Sequence, residues 1–217
     1  MTDVHPPPQQ SDRLPIGGTA IQGRLAEAAI ELFYARGAPA TTVREITSAC
    51  GLTPGALYNH FTSKDHLLFL LVRDIHLQVN DQLTELAAAT GPDPARQLEA
   101  MTRFLVSHTA GYKKRSRVAN REFTVLTGTR REEVRLQRRR LRDQFTAVLV
   151  AGGQQGVFDL IGGNDVGSAT LVATTITSLC VHISEWTLEN YPLGMADLQD
   201  RFARMVLRIA GAAPARS

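Results

Sequence analysis

The chain has 217 residues, with 24 Lys and Arg against 21 Asp and Glu, a formal net charge of +3, and 43% hydrophobic residues. Such a chain can fill a sizeable core, as one domain or as one small and one larger domain, and it is neither disordered nor fibrous. Two cysteines, Cys50 and Cys180, both inside predicted helices, give no disulfide framework and no metal-ligand spacing, so both are expected reduced and buried. No run approaches the roughly 18 apolar residues of a membrane span, and the start MTDVHPPPQQSDR lacks the apolar stretch of a signal peptide. A cytoplasmic protein with no membrane partner is expected.

In chain order, residues 1–18, with Pro6 to Pro8 and Gly17-Gly18, read as a disordered arm. Thr19 followed by Gln22 is a capping box, and Ile21, Leu25, Ala28, Leu32 and Phe33 then recur with helical period, ending near Gly37. Thr42 followed by Glu45 is a second box, so a helix should start at Val43. Val43, Ile46 and Cys50 share one face, with Arg44 and Thr47 pointing elsewhere. Gly51 can adopt the left-handed backbone that ends this helix. Thr53 then reads as the next cap and Pro54 as the first helical residue, where its missing N–H costs nothing. Leu57 and Phe61 can bury against the preceding helix, which leaves Gly55, Ala56, Tyr58, Asn59 and His60 around the remaining surface.

A long helix is expected from about Ser63 to Ala89, broken by Gly91-Pro92, with Asp93-Pro94 as cap and first residue of its successor. Further helical segments fit about 94–112, 115–127, 130–151, 165–190 and 195–210, with Gly152-Gly153 and Gly162-Gly163 as breaks and 213–217 as a tail. No alternating strand and no internal repeat is evident. The expected fold is all-α.

The stretch TVREITSACGLTPGALYNHF, residues 42–61, thus reads as two short helices joined by a tight turn, the helix-turn-helix spacing that presents a helix to the major groove. The run from Arg24 to Leu68, with ELFYARGAPATTV, CGLTPGALYNHF and SKDHLL, resembles the DNA-binding domain of the tetracycline-repressor (TetR) family of bacterial transcription regulators. Thr47 and Cys50 stand where that family usually has alanine, and Thr53 where serine is common. The resemblance implies a DNA-binding domain over 19–65 and a helical effector-binding and dimerisation domain over 66–212. It places Thr53, Pro54, Gly55, Ala56 and Asn59 near base edges, and Thr42, Tyr58, His60 and Lys64 near the DNA backbone. The Asn59 amide can pair bidentately with adenine, worth roughly 1–3 kcal/mol against a wrong base. Lys64 opposes the dipole of its own helix, which a phosphate partner would explain.

Residues up to His60 are not basic overall, since Arg13, Arg24, Arg36 and Arg44 face Asp3, Asp12, Glu27, Glu31 and Glu45. The basic excess lies over 113–142, in Lys113, Lys114, Arg115, Arg117, Arg121, Arg130, Arg131, Arg135, Arg138, Arg139, Arg140 and Arg142, opposed by Glu122, Glu132 and Glu133. Most of these fit the solvated face of a surface helix. Arg138 falls on the apolar stripe of Val134, Leu141, Phe145 and Val148, so it either reaches into a cavity to hold an anion or snorkels outward. VANREF, the arginine-rich helix and ISEWTLENY are similar to the family members that answer to acyl-coenzyme A thioesters, whose phosphates suit several guanidinium groups.

Leu171, Thr175, Ser178 and His182 form a mixed face that suits a cavity wall with polar anchors. With Phe104, His108, Phe123, Arg138, Phe145 and Trp186, the residues Thr175, Ser178 and His182 are the effector-site candidates. Val172, Ile176, Leu179 and Ile183 form one apolar stripe, and Leu198, Phe202, Met205 and Ile209 another. The resemblance makes these a four-helix interface between two copies; the other reading is that they complete the core of one copy. The function expected is a homodimeric, ligand-responsive repressor on a palindromic DNA operator, with a small-molecule effector and no cofactor, metal or catalytic residue. A multidrug or antibiotic-sensing regulator of an efflux system is the alternative within the family. A helical adaptor that does not bind DNA, and a small enzyme using His60, His66 and His76 or His182 with Glu185, are the alternatives outside it. The histidines lack a metal spacing, and no nucleophile motif or phosphate loop accompanies them.

Overall fold

The computed structural model describes residues 18–186 and 193–213. The expected arm up to residue 17, the end of the expected 165–190 helix beyond residue 186, and the tail from residue 214 lie outside the described residues. The described residues are helical throughout: α1 (Ala20–Arg36), α2 (Val43–Ala49), α3 (Pro54–Tyr58), α4 (Lys64–Thr90), α5 (Pro94–Gly111), α6 (Lys113–Arg121), α7 (Gly128–Gln154), α8 (Val166–Val181) and α9 (Met195–Ile209), with single 3-10 turns at Glu122–Val125 and His182–Glu185. The all-α expectation holds.

Side-chain caps open four of these helices. The Thr19–Gln22 box opens α1 and the Thr42–Glu45 box opens α2. The Asp93 carboxylate accepts from Ala95 and Arg96 N–H at the start of α5, and Asp165 accepts from Gly167 and Ser168 N–H at the start of α8. Each satisfies donors that a helix start leaves open.

Three expectations need correction. The apolar face of α1 is rotated: Leu25, Ala26, Ala29, Ile30 and Phe33 are buried while Ile21 is 38% exposed. Gly152-Gly153 does not break α7, which runs on to Gln154. A Cβ built at Gly152 would stand 2.0 Å from the Phe158 ring, so the missing side chain is what lets the ring close over the helix. The segment Val166–Glu185 is long and apolar enough to span a membrane, contrary to the sequence expectation, but Ala169, Val172, Ala173, Ile176, Cys180 and Ile183 along it are buried in a protein core.

The described residues form two compact units that alternate along the sequence: 18–78 with Lys114–Arg135, and Val79–Lys113 with 136–186 and 193–213. The first unit packs Leu25, Ile30, Phe33, Ile46, Leu57, Phe61, Leu67 and Leu71 together with Val118, Leu126 and Val134. The second packs Leu98, Met101 and Leu105 of α5 against Phe145, Leu149 and Phe158, the inner stripe of α8, and Leu198, Phe202 and Val206 of α9. Cys180, fully buried there, has its thiol pushed up to about 12 by burial, so it is inert.

Candidate nucleic-acid interface

The turn between α2 and α3 is built from backbone hydrogen bonds. Gly51, at φ 66°, donates to Ser48 O at 3.0 Å, and Leu52 N–H donates to Thr47 O at 2.8 Å. Glycine meets no Cβ penalty in that left-handed conformation. The turn is tied to α1 from both sides: the Arg24 guanidinium donates to Cys50 O, and Cys50 Sγ donates to Arg24 O at 3.3 Å. Thr47, expected to point away, is fully buried, because its hydroxyl donates to Val43 O and Arg44 O at 3.0 and 3.1 Å and leaves only its methyl to pack.

That turn sets α3 on edge. Leu57 is fully buried and Phe61 is 1% exposed, and the two anchor the segment. Thr53, Pro54, Gly55, Tyr58 and Asn59 are exposed, and Ala56 and His60 half-buried. Tyr58 is 58% exposed, so it does not pack the domain. The helix is shorter than the expected 54–61: Asn59 is its C-terminal cap, and His60 and Phe61 N–H both close on Leu57 O. Thr53 caps by backbone conformation alone, so its hydroxyl makes no bond to the helix it precedes. A Cβ at Gly55 would meet only Thr53 Oγ1, at 4.0 Å; nothing within the chain demands glycine there.

Two residues expected at phosphates already have intramolecular partners. Lys64 Nζ donates to Ala38 O at 2.5 Å and Thr41 O at 2.7 Å, so its ammonium closes the loop between α1 and α2. That replaces the phosphate explanation for its unfavourable place in the first turn of α4. The Thr42 hydroxyl accepts from Glu45 N–H at 3.3 Å and donates to Glu45 Oε2 at 2.7 Å. The Thr42 hydroxyl, then its N–H, with help from Arg36 at 2.8 Å, hold the Glu45 carboxyl below its ordinary range.

A carboxylate that sequence reasoning passed over sits behind this corner. Glu122, 7% exposed, accepts from Ala38 N–H at 3.1 Å. It also lines a cleft of about 260 Å³ with Phe33, Tyr34, Gly37, Arg117 and Arg121, inside the first unit and touching none of the effector candidates. A lone acid between the basic runs of α6 and α7 was the available signal. Much of the basic excess is spent within each unit. Lys114 pairs with Glu31 at 2.6 Å, Arg115 with Glu27 at 2.6 Å, and Arg140 with Asp81 at 3.3 Å. Arg130 stacks over Phe69 at 5.8 Å and Arg131 over Phe123 at 5.5 Å.

In the second unit the two expected faces of α8 change places. Thr175, Ser178 and His182, with Leu171 at 66% exposure, face solvent rather than a cavity inside the chain. Two of them bond locally, Thr175 Oγ donating to Leu171 O at 3.0 Å and His182 Nδ1 lying 2.8 Å from Ser178 O. Val172, Ile176, Ile183, Leu198 and Phe202, expected between two copies, are buried in the core of one copy, and Leu179 and Ile209 are partly buried against it. Met205 alone of that set is exposed, at 43%. Phe145 is fully buried, Phe104 and Trp186 pack on the same core, and the Phe104 and His108 rings lie 5.8 Å apart. Phe123 instead packs on the core of the first unit. Arg138 is half-buried, and burial lowers its pKa.

The model of the tetR family of bacterial regulatory proteins matches residues 25–71, and the tetracyclin repressor-like C-terminal domain matches residues 91–210. The HTH-type transcriptional repressor KstR2 of Rhodococcus jostii (strain RHA1) is 32% identical over 162 residues, which cover 70% of this chain and 74% of that protein. The solved structure of a bacterial regulatory protein in the tetR family from Rhodococcus RHA1 superposes with a TM-score of 0.82 at 29% identity, covering 91% of this chain and all of that one. AibR, solved in complex with isovaleryl coenzyme A and operator DNA, shares the fold with a TM-score of 0.76 at 22% identity, over 89% of this chain and 100% of its own. These matches make the chain a transcription regulator rather than an enzyme, and it belongs to the tetR family of bacterial regulatory proteins.

Proposed function

We propose that the chain is a homodimeric repressor that grips a palindromic operator and leaves it when a small molecule binds. The carrying observation is that α3 turns only Leu57 inward and offers Thr53, Pro54, Gly55, Tyr58 and Asn59 outward. The room left at Gly55 fits that reading, because a helix that must approach DNA closely gains from a missing side chain the fold itself does not require. Asn59 reads a base, Tyr58 and His60 bear on the backbone, and Thr42 and Lys64 hold the frame. Two such helices meet successive major grooves about 34 Å apart only if two copies associate. The outward face of α8, with Leu171, Thr175, Ser178 and His182, joined by Met205 of α9, supplies the surface for that pairing. A regulator of chromosomal DNA works in the cytoplasm.

For the effector, an acyl-coenzyme A thioester is the class best supported. AibR, which shares the fold, was solved with such a thioester. Half-buried Arg138 sits beside Arg139, which is exposed and makes no ion pair among the described residues, in the unit that also holds Phe104, His108 and Phe145. Guanidinium groups suit its phosphates and the apolar core its acyl chain. The ligand acts only through its preference for the form that does not fit DNA. Mass spectrometry of copurifying ligands, followed by titration of the DNA complex with acyl-coenzyme A thioesters and with lipophilic cations, tests this. Release by thioesters supports it; release by the cations alone moves the chain to the drug-sensing class.

A further inference from the structure

We infer that Glu122 is a positioning residue for DNA reading: from the 3-10 turn after α6 it fixes the corner between α1 and α2 on which α3 is mounted. The inference rests on the reading of α3 as the DNA-contacting element. Glu122 lies 84 residues beyond Ala38 in sequence, yet its Oε2 accepts the Ala38 N–H at 3.1 Å in a buried setting. On the other side of the same residue, Lys64 Nζ of α4 takes Ala38 O at 2.5 Å and Thr41 O at 2.7 Å. Ala38, itself 1% exposed, is therefore gripped between a carboxylate on its donor and an ammonium on its acceptor. Thr41 completes the corner by donating its hydroxyl to Gly37 O at 2.9 Å.

The next residue is Thr42, the cap of α2, so the direction in which α2 leaves follows from where this corner is held. Gly37 belongs to the same device. Its φ of 83° is one that a side chain would strain, and its Cα faces the carboxylate closely enough that a Cβ there would touch Glu122 Oε1 at 3.5 Å. A carboxylate taken out of water is costly unless it is bonded, and a hydrophobic residue would fill the space more cheaply. Its bond to the loop N–H is something that packing alone cannot supply. Sequence-distant elements thus converge on one residue four positions before Thr42, the cap of α2.

The test uses the full-length protein and a duplex that the unaltered protein selects from a random pool. Glu122→Leu should bind that duplex about tenfold more weakly, the scale of one lost charge-assisted bond. Glu122→Gln, which keeps an oxygen acceptor of the same shape, should restore most of the affinity. Hydrogen exchange should quicken at Ala38 and over residues 42–48 in the leucine variant while residues 25–33 stay protected, a local signature that a general loss of stability would not give. Full binding by folded Glu122→Leu, with unchanged exchange at Ala38, would overturn the inference, as would a glutamine variant no better than leucine. If the leucine variant does not fold, Glu122→Asp, with the charge drawn back by one methylene, should fold and still bind more weakly; unchanged binding overturns the inference. Selection of no duplex by the unaltered protein would instead remove the reading of α3 itself.

Discussion

α3 and α8 are both helices with one face in a core and one in solvent, but their outward faces differ in chemistry. In α3 a single leucine, Leu57, is inward, and the outward residues are Thr53, Pro54, Gly55, Tyr58 and Asn59. In α8 the inward stripe is Ala169, Val172, Ala173, Ile176, Thr177 and Cys180, and the outward face mixes Leu171 at 66% exposure with Thr174, Thr175 and Ser178. On the proposed function, α3 faces DNA and carries polar and aromatic groups that no core would choose, whereas α8 faces a second copy, and such a surface resembles a core cut open, so its residues differ little from those within. In each helix two adjacent residues have opposite surroundings, Leu57 beside Tyr58 and Leu171 beside Val172, which makes paired substitutions the sharpest probe.

The largest effect is expected in α8. Val172→Asp places an unpaired carboxylate among core residues and should consume most of a stability of about 5–15 kcal/mol, read as loss of the cooperative transition in urea. Leu171→Asp should keep a folded chain by circular dichroism and sediment as a monomer. Were Leu171→Asp still dimeric at micromolar concentration, the outward face of α8 would lose its assigned role. Next in size is Leu57→Ala, which should cost about 2–5 kcal/mol in the same unfolding measurement, because the residue is fully buried. Its neighbour Tyr58→Ala should stay within about 0.5 kcal/mol of the parent stability while weakening DNA binding. Smaller again, Asn59→Ala should lose about 1–3 kcal/mol of discrimination between the selected duplex and a scrambled one, with dimerisation intact.

The smallest effect is a pH dependence at two helix starts. Glu45 is lowered chiefly by the Thr42 hydroxyl, and Asp165 chiefly by Ser168 N–H and then the Ser168 hydroxyl. A carboxyl depressed in the folded chain contributes stability that is present above its unfolded pKa and is lost as pH falls through the folded value, so both caps should weaken below about pH 4. Carboxyl chemical shifts followed through an acid titration would show it. Midpoints at or above those of an unfolded peptide would contradict the capping geometry.

How much of this was legible beforehand follows from how local each determinant is. The boxes at Thr19–Gln22 and Thr42–Glu45, the cap at Asp93, and the left-handed turn at Gly51 need only neighbours within a few residues, and each stands where sequence put it. The outward set of α3 followed, because caps and a short turn leave little freedom for which side faces in. Gly152-Gly153 looked like a break because the partner that makes glycine useful, Phe158, comes from beyond the helix. The two faces of α8 were exchanged because Val, Leu, Ile and Thr occur on both, and periodicity finds a stripe without saying what covers it. Lys64 was assigned to a phosphate and Glu122 was passed over for a third reason. Their partners at Ala38 and Thr41 are backbone groups of a loop, which no pattern of side chains announces.

Two copies placing α3 in successive grooves is the central claim, and its most direct measurement is binding of the selected duplex and a scrambled duplex by fluorescence anisotropy at matched salt. The selected sequence should be an inverted repeat with half-sites about one helical turn apart, bound far more tightly than the scrambled one by the parent. Asn59→Ala should narrow that gap, and Leu171→Asp should abolish tight binding while remaining folded. Equal affinity of the parent for both duplexes, or undiminished binding by a monomeric Leu171→Asp, would contradict it.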